Sequence, residues 1–490
     1  MVVSMRSALS MFAAFALSGV LGPTAVAFNI LGIPGQDKLR YAASRSWRRV
    51  PAVPSTGGGE SARRRTVLGS SQIAESTTSR HGVRILEGGE PALVVNEDGD
   101  KRWNKCNEFV ELGSSGLKVS RIGFGCIMVG GQMNEEQSHE VLNHAFDKAG
   151  INWLDTSETF PHPIYPDHKF KADPILGSWL KGRDRSKVIL STKVAGHSEQ
   201  CTWLRKDGGR TCLNRSQILE SVESSLERLG TDYIDILHIG DWPERKIVDY
   251  GRYFYDYSEE YPVASDIEEQ LMAVQELVNQ GVVRHVAVAN ETPYGVTKFV
   301  EHAIWDDLPR IVCVQSPYNL LTQNRVELAL VEACAPRQCN VGIVAITPLA
   351  GGGLTGKYMY EREAYKNRKF RFNKYPGFQA RFNSRRIYDI LERYKAIAAR
   401  YDLTLQQLAL AFVHTRPFIS ASLVGATSVE QLDQNIGTLG IDLPQECVDE
   451  IYRLQDEHIE PTIGGSEFSL WHDYHDDLPA RVKDIMEGDG

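Results

Sequence analysis

The chain has 490 residues, of which 42% are hydrophobic, so it carries enough apolar side chains to bury a large core. Its formal net charge of −9 argues against a general nucleic-acid-binding protein, which would present a basic face to phosphate. Its eight cysteines include no CxxC pair, which argues against a metal site and predicts thiols as the default. Cys201 and Cys212, which bracket a polar insert, leave a disulfide open as an alternative.

Residues 1–27 have the pattern of a secretory signal peptide. Arg6 precedes an apolar run over residues 8–21, and the small residues Ala25 and Ala27 fit a signal-peptidase site. The run is too short for a membrane span, which needs about 20 strongly apolar residues. We therefore expect no membrane association of the mature protein.

Residues 28–80 are basic, rich in Ser, Ala and Gly, and almost without acids, which is the composition of a transit peptide. A signal peptide followed by Phe28 and such a stretch resembles the bipartite presequence of algae with secondary plastids. The resemblance implies import into a plastid. Secretion into or through the endoplasmic reticulum, or a disordered basic linker, is the alternative. Residues 81–107 are predicted to be an irregular spacer, and residues 457–490 a C-terminal tail.

From residue 108 to 456, short β-branched runs alternate with longer amphipathic segments, which is typical of an α/β fold. Helices are predicted at 136–149, 214–229, 266–280 and 428–437. The pattern predicts eight strands, at 121–125, 152–156, 188–193, 233–239, 283–289, 310–315, 342–347 and 419–424.

Eight such units favour a (β/α)8 barrel, known as a TIM barrel, because these near-continuously apolar strands suit a parallel sheet covered by helices. A doubly wound sheet is the alternative, but no GxGxxG follows its first strand. Residues 109–112 and 117–119, around Ser114-Ser115-Gly116, predict a hairpin that caps the lower end of the barrel. Catalytic groups are then expected at the carboxyl ends of the strands.

The predicted strand ends carry a series of short motifs. In chain order these are GINWLDT at 150–156, STK at 191–193, ANET at 289–292, QSPYNLL at 315–321, PLAGGGLTGK at 348–357 and GATS at 425–428. In order, spacing and placement they resemble the motifs of the aldo-keto reductases. The Pro-rich loop after the second strand and the Asn-Glu-Thr sequence are most similar to the Tas-like branch of that family.

The resemblance implies NADP(H) as the cofactor and a small-molecule carbonyl as the substrate. Asn290 and Gln315 would hold the nicotinamide carboxamide, since an amide matches its donor and acceptor together. A glycine-rich run would bring backbone N–H groups to the pyrophosphate, and a helix N-terminus would contact the adenosine 2′-phosphate and adenine. These remaining cofactor residues are Pro348, Leu349, Gly351, Gly353, Thr355, Lys357, Gly425, Thr427, Gln431 and Asn435.

The glycine-rich run also resembles a Walker A motif, but Tyr358 occupies the position of the Ser or Thr that would bind Mg²⁺. This difference argues against a nucleotide triphosphatase.

The catalytic residues implied by the resemblance are incomplete. Asp155 and Lys193 match the family's aspartate and lysine, but Phe160 occupies the position of the tyrosine that protonates the alkoxide. The family's histidine, which precedes Trp-Pro, is replaced in the sequence His238-Ile239-Gly240-Asp241-Trp242-Pro243, and Ile346 replaces the aromatic residue that stacks on the nicotinamide.

Two interpretations follow. In the first, the chain is a reductase, and Tyr165 or His238 supplies the proton. In the second, the chain is an NADPH-binding pseudoenzyme or sensor subunit, and Asp155 and Lys193 form a structural ion pair. There are two further alternatives. One is a scaffold protein that binds a partner through the aromatic segment 250–257. The other is a metal-dependent hydrolase that uses His238, Asp241 and Asp155 as ligands. The loops at 157–173, 195–213, 244–265 and 358–381 are expected to set substrate specificity.

Overall fold

A computed structural model describes residues 109–198, 201–244, 265–359, 370–375 and 378–462, together with four short strands nearer the N-terminus. Eight parallel strands close into a barrel, as predicted, and the last strand pairs with the first. We number them β1 to β8: Ile122–Gly125, Trp153–Asp155, Ile189–Lys193, Ile234–His238, Val283–Ala289, Ile311–Pro317, Gly342–Ile346 and Ile419–Val424.

The helices follow the strands, and all four predicted helices are present. Most begin with a side-chain cap; for example, Asn214 accepts a hydrogen bond from the backbone N–H of Gln217. The helices span Glu135–Asn143, Ala172–Leu180, Arg215–Leu229, Ile267–Asn279, Pro293–Trp305, Val331–Cys334, Arg371–Lys374, Arg385–Arg400, Leu405–His414, Val429–Gly437 and Gln445–Glu457. Within the part of the chain that the structure describes, none of the helices has the length and apolarity of a membrane span.

The strands bury both faces, which explains their nearly continuous apolar sequence. In β4, Leu237 packs in the large core shared with the surrounding helices, whereas Ile236 packs inside the barrel with Trp153 and Val344. Because side chains alternate along a strand, His238 lies on the inner face with Ile236.

The predicted hairpin is formed by the antiparallel strands Phe109–Glu111 and Lys118–Ser120. Leu112 and Val119 are fully buried in the cluster that fills the lower half of the barrel. Gly113 has φ +55°, and a Cβ there would lie 2.7 Å from the Val312 carbonyl oxygen at the lower end of β6. The hairpin therefore closes the end of the barrel opposite the expected site.

The prediction of an irregular spacer over residues 81–107 was wrong. Strands Ser76–Thr78 and Arg84–Leu86 form one antiparallel pair, and Leu93–Val95 and Lys101–Trp103 form a second. Three-residue strands are too short to show a period-two pattern in the sequence. The predicted signal peptide, nearly all of the transit-peptide segment, the aromatic segment 250–257 and residues 463–490 lie outside the described residues.

A buried ion pair fixes the insert at 195–213 against the barrel mouth. Arg205 Nη1 lies 2.9 Å from Glu158 Oε2, Nη2 lies 3.0 Å from Oε1, and both side chains are 1% exposed. Glu158 also accepts a hydrogen bond from the backbone N–H of Ala195. Cys201 and Cys212 are buried in this insert, and the seven described cysteines are all thiols.

We expect Glu158→Gln to lower the free energy of unfolding by about 3–5 kcal/mol, because it leaves Arg205 as an uncompensated buried cation. Urea denaturation measures this change. Glu223→Gln is the matched control. Glu223 Oε2, on the helix Arg215–Leu229, lies 3.5 Å from Nζ of Lys206 in the same insert, and both side chains are exposed. A Glu158→Gln variant as stable as the control would contradict the role given to the buried pair.

Candidate active site

A buried ion pair lies at the carboxyl ends of β2 and β3. Lys193 Nζ donates to Asp155 Oδ2 at 2.6 Å and to the Thr156 carbonyl oxygen at 2.8 Å. The side chains of Lys193 and Asp155 are 3% and 4% exposed. The structure therefore brings together Asp155 and Lys193, the two residues that the sequence comparison predicts to be catalytic.

Another residue of β3 and one further strand, β6, contribute to this pair. Asp155 Oδ1 accepts hydrogen bonds from Ser191 Oγ at 2.7 Å and from Gln315 Nε2, at the end of β6, at 2.8 Å. Gln315 Oε1 is buried and has no hydrogen-bond partner among the described residues. Asn290, with φ +55°, donates its backbone N–H to the Gln315 carbonyl oxygen at 2.8 Å. Asn290 and Gln315 are therefore neighbours beside the ion pair, and one amide oxygen there is unsatisfied.

Phe160 packs where the sequence comparison expects a tyrosine. The centroid of its ring lies 5.2 Å from Lys193 Nζ, and the side chain is 8% exposed. His162 meets the Phe160 ring edge-on, with centroids 5.1 Å apart. The ammonium group of Lys193 thus faces a hydrocarbon ring that carries no proton to donate.

The two residues predicted as substitutes differ in position. Tyr165 is half-buried, and its ring contacts His168 further along the loop. His238 is fully buried inside the barrel, opposite Lys193 in the strand register, with Nδ1 3.4 Å from the Thr192 carbonyl oxygen. Burial and the neighbouring charge of Lys193 lower the pKa of His238 to about 3, so the imidazole is uncharged at neutral pH and is a weak proton donor.

Asp241, which the sequence analysis includes only in the hydrolase alternative, is a buried carboxyl group that is 3% exposed. Its Oδ2 accepts hydrogen bonds from Ser157 Oγ at 2.9 Å and Thr159 Oγ1 at 2.8 Å. Its carbonyl oxygen accepts from Asn290 Nδ2 at 2.8 Å. Burial raises the pKa of Asp241. The sequence signal for Asp241 as a residue of this site is its place directly before Trp242-Pro243, where the resemblance puts the family's histidine.

The glycine-rich run lies in the loop after β7. Gly351 and Gly352 have φ of +66° and +101°, and a Cβ on Gly352 would lie 3.3 Å from Lys357 Nζ. Thr355 Oγ1 accepts a hydrogen bond from the backbone N–H of Lys357 at 3.4 Å. The lysine ammonium therefore lies directly against the backbone that the sequence predicts to contact a phosphate. At the start of the run, Pro348 is buried, Leu349 is half-buried between the two largest cores, and Gly353 is buried.

Arg371 is a second cation at this end of the site, and the sequence did not single it out. It is 8% exposed, its Nε donates to Gln132 Oε1 at 2.9 Å, and its Nη2 has no hydrogen-bond partner among the described residues. Burial lowers the pKa of Arg371 to about 10, and burial together with the charge of Arg371 lowers that of Lys357 to about 8. Neither cation pairs with a described carboxylate.

The third predicted segment joins β8 to the helix Val429–Gly437. Gly425 is exposed, and a Cβ there would lie 2.4 Å from Met128 Cε. Thr427 donates its backbone N–H and its hydroxyl to Gln431 Oε1 at 3.0 and 3.1 Å. Asn435 is buried one turn further on and accepts from Gln406 Nε2 at 2.9 Å. Thr427 and Gln431 thus face solvent together, whereas the Asn435 amide oxygen is engaged within the fold.

One group of potential metal ligands lies among the described residues, and it is not the set that the hydrolase alternative requires. Glu268, His302 and Asp306 have ligand atoms within 4.8 Å of one another on two outer helices. Asp155, by contrast, has both oxygens engaged by Lys193, Ser191 and Gln315. The hydrolase alternative gains no support from this arrangement.

Comparison with known proteins shows the family of the chain. The model of the Aldo/keto reductase family matches residues 121–456. The chain is 33% identical over 349 residues to "Protein tas" of Escherichia coli (strain K12), covering 71% of this chain and 97% of that protein. It is 39% identical over 259 residues to an "Aldo-keto reductase" of Babesia bovis, and this match covers 51% of this chain and 89% of that protein. It is 28% identical over 347 residues to "Probable aldo-keto reductase 1" of Glycine max, and this match covers 70% of this chain and 87% of that protein. The chain is a member of the aldo/keto reductase family, within its Tas-like branch.

Proposed function

We propose that this oxidoreductase uses NADP(H) to reduce a small-molecule aldehyde or ketone to an alcohol. The observation that carries the proposal is the pair of partly or fully buried cations, Lys357 and Arg371, beside the glycine-rich run. Two neighbouring cations without a carboxylate partner favour an anionic ligand, because such charges are otherwise costly to bury.

The residues present fit a nicotinamide dinucleotide along the length of the site. The unsatisfied Gln315 Oε1 and the adjacent Asn290 suit the carboxamide, which has one donor and one acceptor group. Lys357, Arg371 and the backbone N–H groups of the glycine-rich run suit the pyrophosphate. Gly425, Thr427 and Gln431 suit the adenosine end, with Asn435 behind them. A bound cofactor of this class supplies a hydride.

At the end of the site that contains Asp155 and Lys193, the residues supply a positive charge and exclude water. Lys193 is fixed by Asp155 and the Thr156 carbonyl oxygen, so its ammonium group is oriented to stabilise negative charge that develops on a substrate oxygen. Phe160 and the insert held by Arg205 shield this charge from water, which strengthens its effect. The relatives named for aldo-keto reductase activity support the same reaction class.

Phe160 specifically favours a second candidate, an NADPH-binding pseudoenzyme or sensor. With no phenol beside Lys193, the Asp155–Lys193 pair would act as a structural element and the cofactor as a ligand.

The test is a fluorescence titration of residues 72–490 with NADPH, followed in the same cuvette by aldehydes, ketones and quinones. We expect saturable binding and then loss of NADPH absorbance with at least one carbonyl. Binding without turnover on any member of the panel would favour the pseudoenzyme. Absence of binding would contradict the cofactor assignment for both candidates.

Arg371→Ala is expected to weaken NADPH binding by at least about tenfold, since a hydrogen bond to a charged group contributes about 1.5–3 kcal/mol. Arg385→Ala is the matched control, because Arg385 is exposed at the start of a helix outside the site. Equal affinities of the two variants would contradict the contact of Arg371 with the cofactor.

The affinity for NADPH is also expected to depend on pH through Lys357. Its pKa of about 8 means that the ammonium loses its proton as the pH rises through 8, and the attraction for phosphate is lost with it. The dissociation constant should therefore increase above pH 8. Lys357→Arg keeps its charge over this range and should bind with a nearly constant affinity. A wild-type dissociation constant that does not change on either side of pH 8 would contradict the assignment.

We further propose that residues 1–80 direct the protein to a plastid. The signal-like and transit-like compositions of the two segments support this proposal. Residues 1–80 fused to a fluorescent protein should enter the plastid of an alga with a secondary plastid, whereas residues 1–27 alone should lead only into the secretory pathway. Secretion of both fusions would support the alternative location.

A further inference from the structure

We propose that Asp241 is the proton donor of this site, taking the role of the absent tyrosine, and this inference rests on the proposed carbonyl reduction. Asp241 follows β4 and lies beside the end of β3, because its backbone N–H donates to the carbonyl oxygen of Val194 at 2.6 Å. Val194 is the residue directly after Lys193. The backbone of Asp241 thus lies beside that of the residue after Lys193, and the charge of the Lys193 ammonium group acts on the Asp241 carboxyl group.

The two oxygens of this carboxyl group differ in their surroundings. Oδ2 is fixed by the hydroxyl groups of Ser157 and Thr159, both on the loop that carries Phe160. Oδ1 takes part in no hydrogen bond among the described residues. One oxygen is therefore held in place, and the other is left to carry a proton toward a substrate.

The position of Asp241 relative to the cofactor residues supports the same role. Its carbonyl oxygen accepts from Asn290 Nδ2, so the residue proposed to hold the carboxamide is fixed by the backbone of the proposed acid. A substrate oxygen placed near Lys193 would then lie close to both groups. This arrangement places the proton donor and the hydride donor around one carbonyl.

The charges around Asp241 suit a carboxyl group that alternates between its protonated and ionised forms. Burial raises its pKa, and Asp155 on β2 acts in the same direction, whereas Lys193 on β3 and the hydroxyls of Thr159 and Ser157 lower it. His162, which contacts Thr159 Oγ1 at 3.2 Å, has a pKa lowered to about 3 and contributes no charge at neutral pH. The carboxylic acid is thus retained to higher pH, and the carboxylate left after donation is hydrogen-bonded.

The carbonyl π bond breaks, the carbon gains the hydride supplied by the nicotinamide, and the oxygen takes the proton from Asp241 as the O–H bond of the acid breaks. The carbonyl is reduced to an alcohol with oxidation of the nicotinamide. Asp241 becomes a carboxylate, which regains a proton from water before the next turnover.

Another buried carboxyl group with a raised pKa, Asp173, provides the matched control. Its Oδ2 accepts from Arg228 at 2.8 Å and its Oδ1 accepts from Thr156 Oγ1 at 3.0 Å, so both of its oxygens are engaged. It lies on the helix Ala172–Leu180 and is no part of the proposed cofactor or proton path.

The experiment compares Asp241→Asn and Asp173→Asn in kcat, in NADPH affinity and in the infrared C=O stretch of protonated carboxylic acids at neutral pH. We expect Asp241→Asn to bind NADPH as the wild type does, to lose kcat by about 10²–10⁴-fold, as for loss of a general acid, and to lose an infrared band that Asp173→Asn retains. The wild-type kcat should fall at high pH as the acid ionises, and this fall should be absent in Asp241→Asn.

Wild-type turnover with an unchanged kcat in Asp241→Asn would overturn the role of Asp241 and leave the proposed function intact. If Asp241→Asn loses no carboxylic acid band, Asp241 of the wild type is already ionised at neutral pH. This result would also overturn the role of Asp241 and leave the proposed function intact. NADPH binding without wild-type turnover would overturn carbonyl reduction and the proton transfer that rests on it.

Discussion

Two opposite charges buried at the ends of neighbouring strands organise the mouth of this barrel. Burying a lysine and an aspartate is unfavourable unless the remaining hydrogen-bonding capacity is also satisfied. Asp155 meets this requirement by contacting Lys193, Ser191 and Gln315, and thereby connects β2, β3 and β6. The position of Gln315 in turn sets that of Asn290. The geometry of the proposed nicotinamide site is thus a consequence of how one ion pair is satisfied.

The site has two ends with different electrostatic character. At one end Lys193 is neutralised by Asp155, so its charge is oriented but balanced. At the other end Lys357 and Arg371 repel one another and lack a described carboxylate partner. The positive charges of both Arg371 and Lys193 lower the pKa of His162, so this imidazole is influenced from both ends of the site. This division suits a ligand whose anionic part binds at one end and whose reactive ring lies at the other.

The sequence predicted the barrel and the strand-end residues because both depend on local patterns: apolar runs define the strands, and the motifs follow them directly. It did not predict contacts between distant segments. Arg371 reaches Gln132, 239 residues earlier, through a loop whose path depends on tertiary packing. Asp241 is fixed by Ser157 and Thr159, which lie 84 and 82 residues away. The sequence therefore indicated a missing histidine and a metal ligand for the hydrolase alternative, but not this hydrogen-bonded carboxyl group. Tyr165 lies five residues after Phe160 in the chain, but its ring contacts His168 further along the loop.

Carbonyl reduction by this barrel is tested most directly with NADPH that carries deuterium at C4 of the nicotinamide. After incubation with a carbonyl substrate found in the panel, the product alcohol is analysed by mass spectrometry. If the site acts as proposed, one deuterium appears on the carbon that was the carbonyl carbon, while the hydroxyl proton exchanges with water. Product alcohol without deuterium from either C4 position, or absence of product from every carbonyl tested, would contradict the account.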